Sequence, residues 1–456
     1  MSTYHKDWTP WSWQNRSSPY LIEYQDEPVA KTVIAQLQQF PPLVTVWEVD
    51  KLKRLLAEAE AGKRFILQGG DCAETLADCS QETIVNKFKI LLQMSLVLIH
   101  GGQKPVIRIG RFAGQYAKPR SQLRETQVHN GQPLTLPSYL GDLINAPEFS
   151  PTSRNLDPTR MITGYMHAAL TLNLIRALSS GGFADLHHPE KWDLTFANEA
   201  SLTPALREEY QATSQKLASA LRFMEALGET SIDELTRVEF FTSHEGLHLA
   251  YEAAQTRWAP EKNSHYDLTT HLPWIGDRTR ALDGPHVEFF RGIENPIGVK
   301  IGPTTTPSQL VDTCHALNPY NERGKLLLIA RLGADVVNGK LPPLLEAYKQ
   351  AHIAGLWLCD PMHGNTTRTS SGRKTRDFNA ILREIEHTFN IHQKQGTRFC
   401  GVHFELTGDD VSECTGGAAD IKEGDLERHY ATACDPRLNY RQALEMAFRI
   451  AKRMNA

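Results

Sequence analysis

The sequence lacks a long hydrophobic run. Its most apolar stretch, Ile90–Ile99, is broken by Gln93 and is too short to span a bilayer. No apolar segment opens the chain either; MSTYHKDWTPWSWQNRSSPY has none of the core of a secretory signal. Cysteine is sparse: 7 in 456 residues, an odd number and widely scattered, which excludes a disulfide scaffold and fits a reducing compartment. Positive charge is not in excess. Lys plus Arg is 49 against 53 Asp plus Glu, a net charge of −4, so the global footprint of a nucleic-acid binder is missing, although a basic pocket is compatible with it. There is no repeat of solenoid length and no low-complexity tract. The expectation is a soluble, cytoplasmic protein with no membrane and no nucleic-acid partner.

Hydrophobic residues make up 41% of the chain, enough for a sizeable core. Eight short apolar, β-rich runs punctuate it: Arg64–Gln68, Pro105–Ile109, Val238–Thr242, His271–Ile275, Ile297–Ile301, Leu326–Ala330, Gly355–Cys359 and Phe399–Phe404. Helical segments fill most gaps, among them Glu82–Ile99, Ser308–Leu317, Leu344–His352 and Phe378–Gln393, with room for only a short helix in Arg280–Glu294. Eight strands alternating with helices predict an α/β protein with a (β/α)8 TIM barrel; a doubly wound open sheet is the runner-up. No GxGxxG follows the first run, which ends Gly69-Gly70-Asp71-Cys72, so a dinucleotide site is unsupported. Residues 1–63, Trp- and Pro-rich and then helical over Lys51–Lys63, read as an extension packing on a barrel of residues 64–456. The long stretch between strands 2 and 3 predicts a helical insertion over about 150–235, with helices at Tyr165–Ser179 and Thr203–Leu227.

In such barrels chemistry sits where the strands end. The residues there include Arg111, Lys118, Arg120, Arg278, Lys300 and Arg331, and so many cations repel one another unless their ligand is multiply anionic. Arg forks suit phosphate and carboxylate. A second set, Cys72, His363 and Glu405, offers a thiolate, an imidazole and a carboxylate, donors suited to a divalent transition metal. Cys79, Cys314, Cys359, Cys400 and Cys414 read as core, His403 as core rather than ligand, and Trp274 as packing; His244 is undecided.

The segments QGGDCAET (68–75), GRFAGQYAKPRS (110–121), TSHEGLHLAYE (242–252), WIGDRTR (274–280), NPIGVKIGPT (295–304), DPMHGNT (360–366), GVHFELTG (401–408) and ATACDPRLN (431–439) resemble, in order, those of the class II (plant-type) 3-deoxy-D-arabino-heptulosonate 7-phosphate synthases. The resemblance implies a metal-dependent transferase that condenses phosphoenolpyruvate with erythrose 4-phosphate and releases phosphate, opening the shikimate pathway to aromatic amino acids. It implies Mn2+ or Co2+ held by Cys72, His363, Glu405 and Asp435; phosphoenolpyruvate held by Arg111, Asp277, Arg278, Lys300 and Arg331; and erythrose 4-phosphate held by Lys118, Arg120 and Ser121. Lys118, Glu245 and His363 stand at the reacting centre, with Glu245 or a metal-linked water as the base. Asp277 departs from the family's Glu, which matters if its carboxylate orients Arg278. A homo-oligomer, dimer or tetramer, and an allosteric aromatic amino acid effector are also implied. A related synthase using another aldose phosphate and a silent regulatory barrel are the alternatives. Because Cys434 precedes Asp435, it is expected near Cys72, and a metal-free Cys72 with a lowered pKa is expected to oxidise onto it.

Overall fold

A computed structural model describes residues 8–129, 131–180 and 238–454, with scattered helical positions between 204 and 219. Eight parallel strands close into a barrel in sequence order: β1 (Phe65–Gly70), β2 (Val106–Arg111), β3 (Phe241–Glu245), β4 (Leu272–Ile275), β5 (Ile297–Ile301), β6 (Leu326–Ala330), β7 (Leu356–Cys359) and β8 (Phe399–Glu405). β1 pairs with both β2 and β8, so the open-sheet alternative is excluded. The predicted bounds of β5 and β6 coincide with those observed, because both segments are buried along their whole length and Lys300 alone interrupts their apolar character.

The third strand starts three residues later than Val238–Thr242 predicts. Val238 packs outside with the helices, while Phe241 is the first residue to join the barrel interior. The polar residues that read as a loop are on the strand because the interior satisfies them: Ser243 Oγ donates to Gly110 O at 3.2 Å and accepts from Gln68 Nε2 at 3.0 Å.

Alternation along the strands separates two apolar layers. Ile66, Ile107, Ile109, Phe241, Leu327, Ile329, Leu356 and Leu358 form the interior, whereas Phe65 and Leu67 pack with the surrounding helices. The helix α1 (Glu27–Gln39) is followed by α2 (Val46–Glu60), whose Leu52, Leu55, Leu56 and Ala59 join the interior cluster and plug the end of the barrel remote from the strand C-termini. Fully burying each such side chain is worth roughly 1.5–3 kcal/mol. α2 begins earlier than predicted because Thr45 and Glu48 cap one another, Thr45 N to Glu48 Oε2 at 2.8 Å and Glu48 N to Thr45 Oγ1 at 3.3 Å.

Among the helices, α3 (Gln81–Gly102) extends the predicted Glu82–Ile99 at both ends. By length and composition it could cross a membrane, but most of it is buried against the barrel and the C-terminal helix Tyr440–Met454. Gly101 permits that approach; a Cβ there would collide with Ala451. The helix Val337–Gln350 starts well before the predicted Leu344, running through Pro342 and Pro343 and giving up two amide donors. In the insertion, Arg160–Ser180 covers the predicted Tyr165–Ser179, while Thr203–Leu227 lies largely outside the described residues. Three hairpins were not foreseen: Arg124–His129 with Gln132–Pro137, Thr256–Ala259 with Ser264–Asp267, and Thr366–Arg368 with Lys374–Arg376.

Candidate active site

At the C-terminal ends of the strands the chain encloses a cavity of about 270 Å³. Every residue that the sequence nominated lines it except Glu405, which is fully buried beneath, on β8. Glu405 Oε1 accepts from Arg111 Nη2 at 3.1 Å and Lys118 Nζ at 3.4 Å, and lies 3.1 Å from His363 Nε2; Oε2 accepts from Arg376 Nη1 at 2.7 Å. Burial opposes its charge, but His363, Lys118, Arg376 and Arg111 outweigh that and hold the carboxyl well below the usual carboxylate range.

The four nominated metal donors meet. Ligand atoms of His363, Glu405 and Asp435 lie within 4.8 Å of one another, as do those of Cys72, Cys434 and Asp435, so Asp435 joins both groups. Asp360 Oδ2 lies 2.7 Å from His363 Nδ1. Burial opposes ionisation of Asp360, yet His363 and Lys300 hold it far below its ordinary range, so Nδ1 is the donor and Nε2 is the atom presented to Glu405. A carboxylate behind the far ring nitrogen is the usual support of a metal-binding imidazole. One thiol, one imidazole and two carboxylates, buried and convergent, fit a divalent transition metal. Asp435 is also braced by Lys118 at 2.6 Å and Lys374 at 2.6 Å.

The cations form the walls. Lys300 Nζ and Asp360 Oδ2 are hydrogen-bonded, and Trp274 lies beneath both Lys300 and Arg111, its ring centroid 5.8 Å and 5.2 Å from their charged groups. Trp274 is thus the floor of the cation cluster as well as packing. Burial lowers Lys300 to about 8, with Asp360 resisting and Arg111 adding to the fall. His403 Nε2 accepts from Arg111 Nη1 at 2.8 Å, a core histidine that aims this arginine. The Asp277 carboxylate does not orient Arg278; it accepts from Arg331 Nη1 and Arg280 Nε, both at 2.9 Å. Among the described residues Arg278 Nη1 bonds to Pro119 O, at 3.5 Å, and Arg278 is exposed at the rim with Ser121. Gly302 makes room for this carboxylate, since a Cβ there would run into it. Glu245 Oε1 is buried without a hydrogen-bond partner among the described residues, and burial raises its pKa despite the nearby Lys118, Lys300, His363 and Arg111. His244, undecided from sequence, is held by Glu252 at 2.9 Å.

The profile of the Class-II DAHP synthetase family matches residues 8–451. The chain belongs to this family. It is 45% identical to the phospho-2-dehydro-3-deoxyheptonate aldolase of Neurospora crassa, over 97% of this chain and 94% of that one. It is 43% identical to the Streptomyces coelicolor enzyme of that name, over 97% and 96%. A Mycolicibacterium smegmatis relative is also 43% identical, over 94% and 90%.

In this class-II DAHP synthetase the sequence reading missed Lys374, Arg376 and Asp360. The first two arrive on the hairpin after β7, whose three-residue strands are too short to show a period. Asp360 opens the DPMHG motif, in which only His363 reads as a donor from sequence. The five cysteines read as core all pack into apolar clusters or against them.

Cys434 does lie beside Cys72, but the expected thiol chemistry is reversed. Burial, a hydrogen bond to Cys434 and the charge of Glu405 push the Cys72 thiol up. Cys434 falls to about 6, chiefly through its hydrogen bond with Cys72, with Lys118 and Arg120 also favouring its thiolate. Chelation followed by diamide should join the two, and non-reducing peptide mapping should find the linked peptides. Finding both thiols alkylatable after activity is lost would reject the pairing.

Proposed function

We propose that the chain condenses phosphoenolpyruvate with erythrose 4-phosphate and water, yielding 3-deoxy-D-arabino-heptulosonate 7-phosphate and phosphate, the first step of the shikimate pathway. Family membership supports the reaction. The observation that carries the site is one cavity with a four-donor metal group at its floor and cations on its walls, suited to two polyanionic substrates that would repel each other in water.

In this reading Arg111, Lys300, Arg331 and Arg278 take phosphoenolpyruvate, with the backbone beside Asp277. The Asp277 carboxylate keeps Arg331 in place, and the Trp274 face and His403 keep Arg111 in place. Arg120 and Ser121 at the rim take the phosphate of erythrose 4-phosphate, and Lys118 lies between the two substrates. The residues align C3 of phosphoenolpyruvate with the aldehyde carbon, a positioning and an electrostatic contribution. A divalent metal, manganese or cobalt in this reading, supplies Lewis acidity toward a carbonyl oxygen. Water then adds at C2, and the hemiketal phosphate collapses with release of phosphate. Glu245, buried with its pKa raised, is suited to move the proton of that water. Assembly as a homodimer or homotetramer belongs to the same reading, supported by the exposed Met166 and Leu170 on Arg160–Ser180. An aromatic amino acid effector rests on family membership alone.

The protein with both substrates and Mn2+ should consume enol absorbance and release phosphate, and His363→Ala should lose both this turnover and calorimetric Mn2+ binding. Absence of turnover with every divalent metal tried would overturn the assignment. Each charge-assisted hydrogen bond is worth roughly 1.5–3 kcal/mol, so Arg331→Ala should weaken phosphoenolpyruvate binding about ten- to hundredfold. Arg120→Ala should raise the KM for erythrose 4-phosphate instead. Steady-state kinetics with each substrate varied distinguishes them.

Lys300 adds a pH dependence. Its charged form is the anion-binding form, present below about 8 and lost as pH rises through it. The kcat/KM for phosphoenolpyruvate should therefore fall above about pH 8. Lys300→Arg keeps its charge and should lack this alkaline limb, whatever its absolute rate. A limb that persists in that variant belongs to another group.

A further inference from the structure

The loops that deliver Lys118, Arg120 and Glu245 share an anchor that lines no part of the cavity. Glu74, two residues after Cys72, is 2% exposed. Its Oε1 accepts the amide of Ala113 at 3.1 Å, and Oε2 accepts those of Gly114 and Gln115 at 3.0 and 2.9 Å. Its own amide donates to Gln115 O at 2.8 Å. Three successive N–H groups converging on one carboxylate make an anion-binding nest, here filled by the chain itself. Lys87 Nζ on α3 lies 3.8 Å from Oε1, although its close partner is Asp71.

The backbone of the nest is unusual. Ala113 has φ 62° and Gly114 φ 150°. The first is uncommon for a residue with a side chain, and the second is a conformation that suits glycine. A Cβ on Gly114 would also stand 2.5 Å from His244 Nδ1. Bonds continue outward from this turn. Gln115 Oε1 accepts the amide of Glu245 at 2.9 Å, and its Nε2 donates to Ala117 O at 3.1 Å, directly before Lys118. One carboxylate thus ties together the loop carrying Cys72, the loop carrying Lys118 and Arg120, and the strand end carrying Glu245.

We propose that Glu74 is a positioning residue for the aldose-phosphate half of the site, setting the reach of Lys118 and Arg120 through the Ala113–Gln115 turn. This rests on the reading that Lys118, Arg120 and Ser121 receive erythrose 4-phosphate. Glu74→Gln keeps the volume but places an NH2 group against backbone donors. Misplacement of a reacting group by about 1 Å costs on the order of a hundredfold, so kcat should fall by at least about tenfold and the KM for erythrose 4-phosphate should rise. Phosphoenolpyruvate affinity by calorimetry should stay near wild type, because Arg111, Lys300 and Arg331 stand on other supports. Gly114→Ala disturbs the same turn from its far side and should give the same split; it decides the matter if Glu74→Gln fails to fold.

Unchanged kinetics in both variants would overturn the proposal. So would equal loss of affinity for both substrates together with a lowered melting temperature, the mark of a merely structural role. If Arg120→Ala leaves the KM for erythrose 4-phosphate unchanged, the underlying reading fails. If Arg120→Ala raises it while the two turn variants do not, only the positioning role fails.

Discussion

The site depends on one buried carboxylate. Glu405 has no exposed surface, and isolated burial of such a charge is strongly unfavourable. Its ionisation is sustained by Arg111, Arg376, Lys118 and His363, which arrive from β2, the hairpin after β7, the loop after β2 and the loop after β7. The dependence is mutual, since Arg111, Arg376 and Lys118 also repel one another unless an anion lies among them. Removing one member of such a group leaves an uncompensated buried charge, typically at a cost of about 3–5 kcal/mol. The charge network therefore holds the mouth of the barrel together and at the same time gathers donors that could hold a metal ion.

The two ends of the barrel are built from different physics. The interior beneath the site is aliphatic and is closed by Leu52, Leu55 and Leu56 of α2. Such a layer is non-directional and tolerates modest change in shape. The upper end is polar and directional. Gln68, Ser243, His403 and Arg111 are linked or aimed by specific bonds, so small displacements there alter function. Chemistry is confined to the end where strands finish and loops can vary.

Within the upper end, anionic side chains decide which cations remain available. Asp277 holds Arg331 and Arg280, Asp360 holds Lys300 and His363, and Asp435 holds Lys118 and Lys374. Each pairing fixes a flexible side chain before substrate arrives, which reduces the entropy lost on binding. Arg278, with a single long bond to a carbonyl, is left less constrained at the rim. The shorter side chain of Asp277 therefore bears on Arg331 and not on Arg278, its neighbour in sequence.

The sequence by itself determined the strand pattern, because two-sided burial writes short apolar runs such as Leu326–Ala330 into neighbouring residues. It also marked most of the donors and cations, which follow those runs directly. Asp435 came only through family resemblance, for it lies on a loop far beyond β8. Lys374 and Arg376 carried no local signal at all. Tertiary structure alone decided other pairings: Asp277 with Arg331, and Glu74 with three amides of another loop. Periodicity is a property of adjacent residues and survives in a string of letters. Pairing across the barrel is set by closure of the sheet and by loops whose course is fixed only when buried charges find one another.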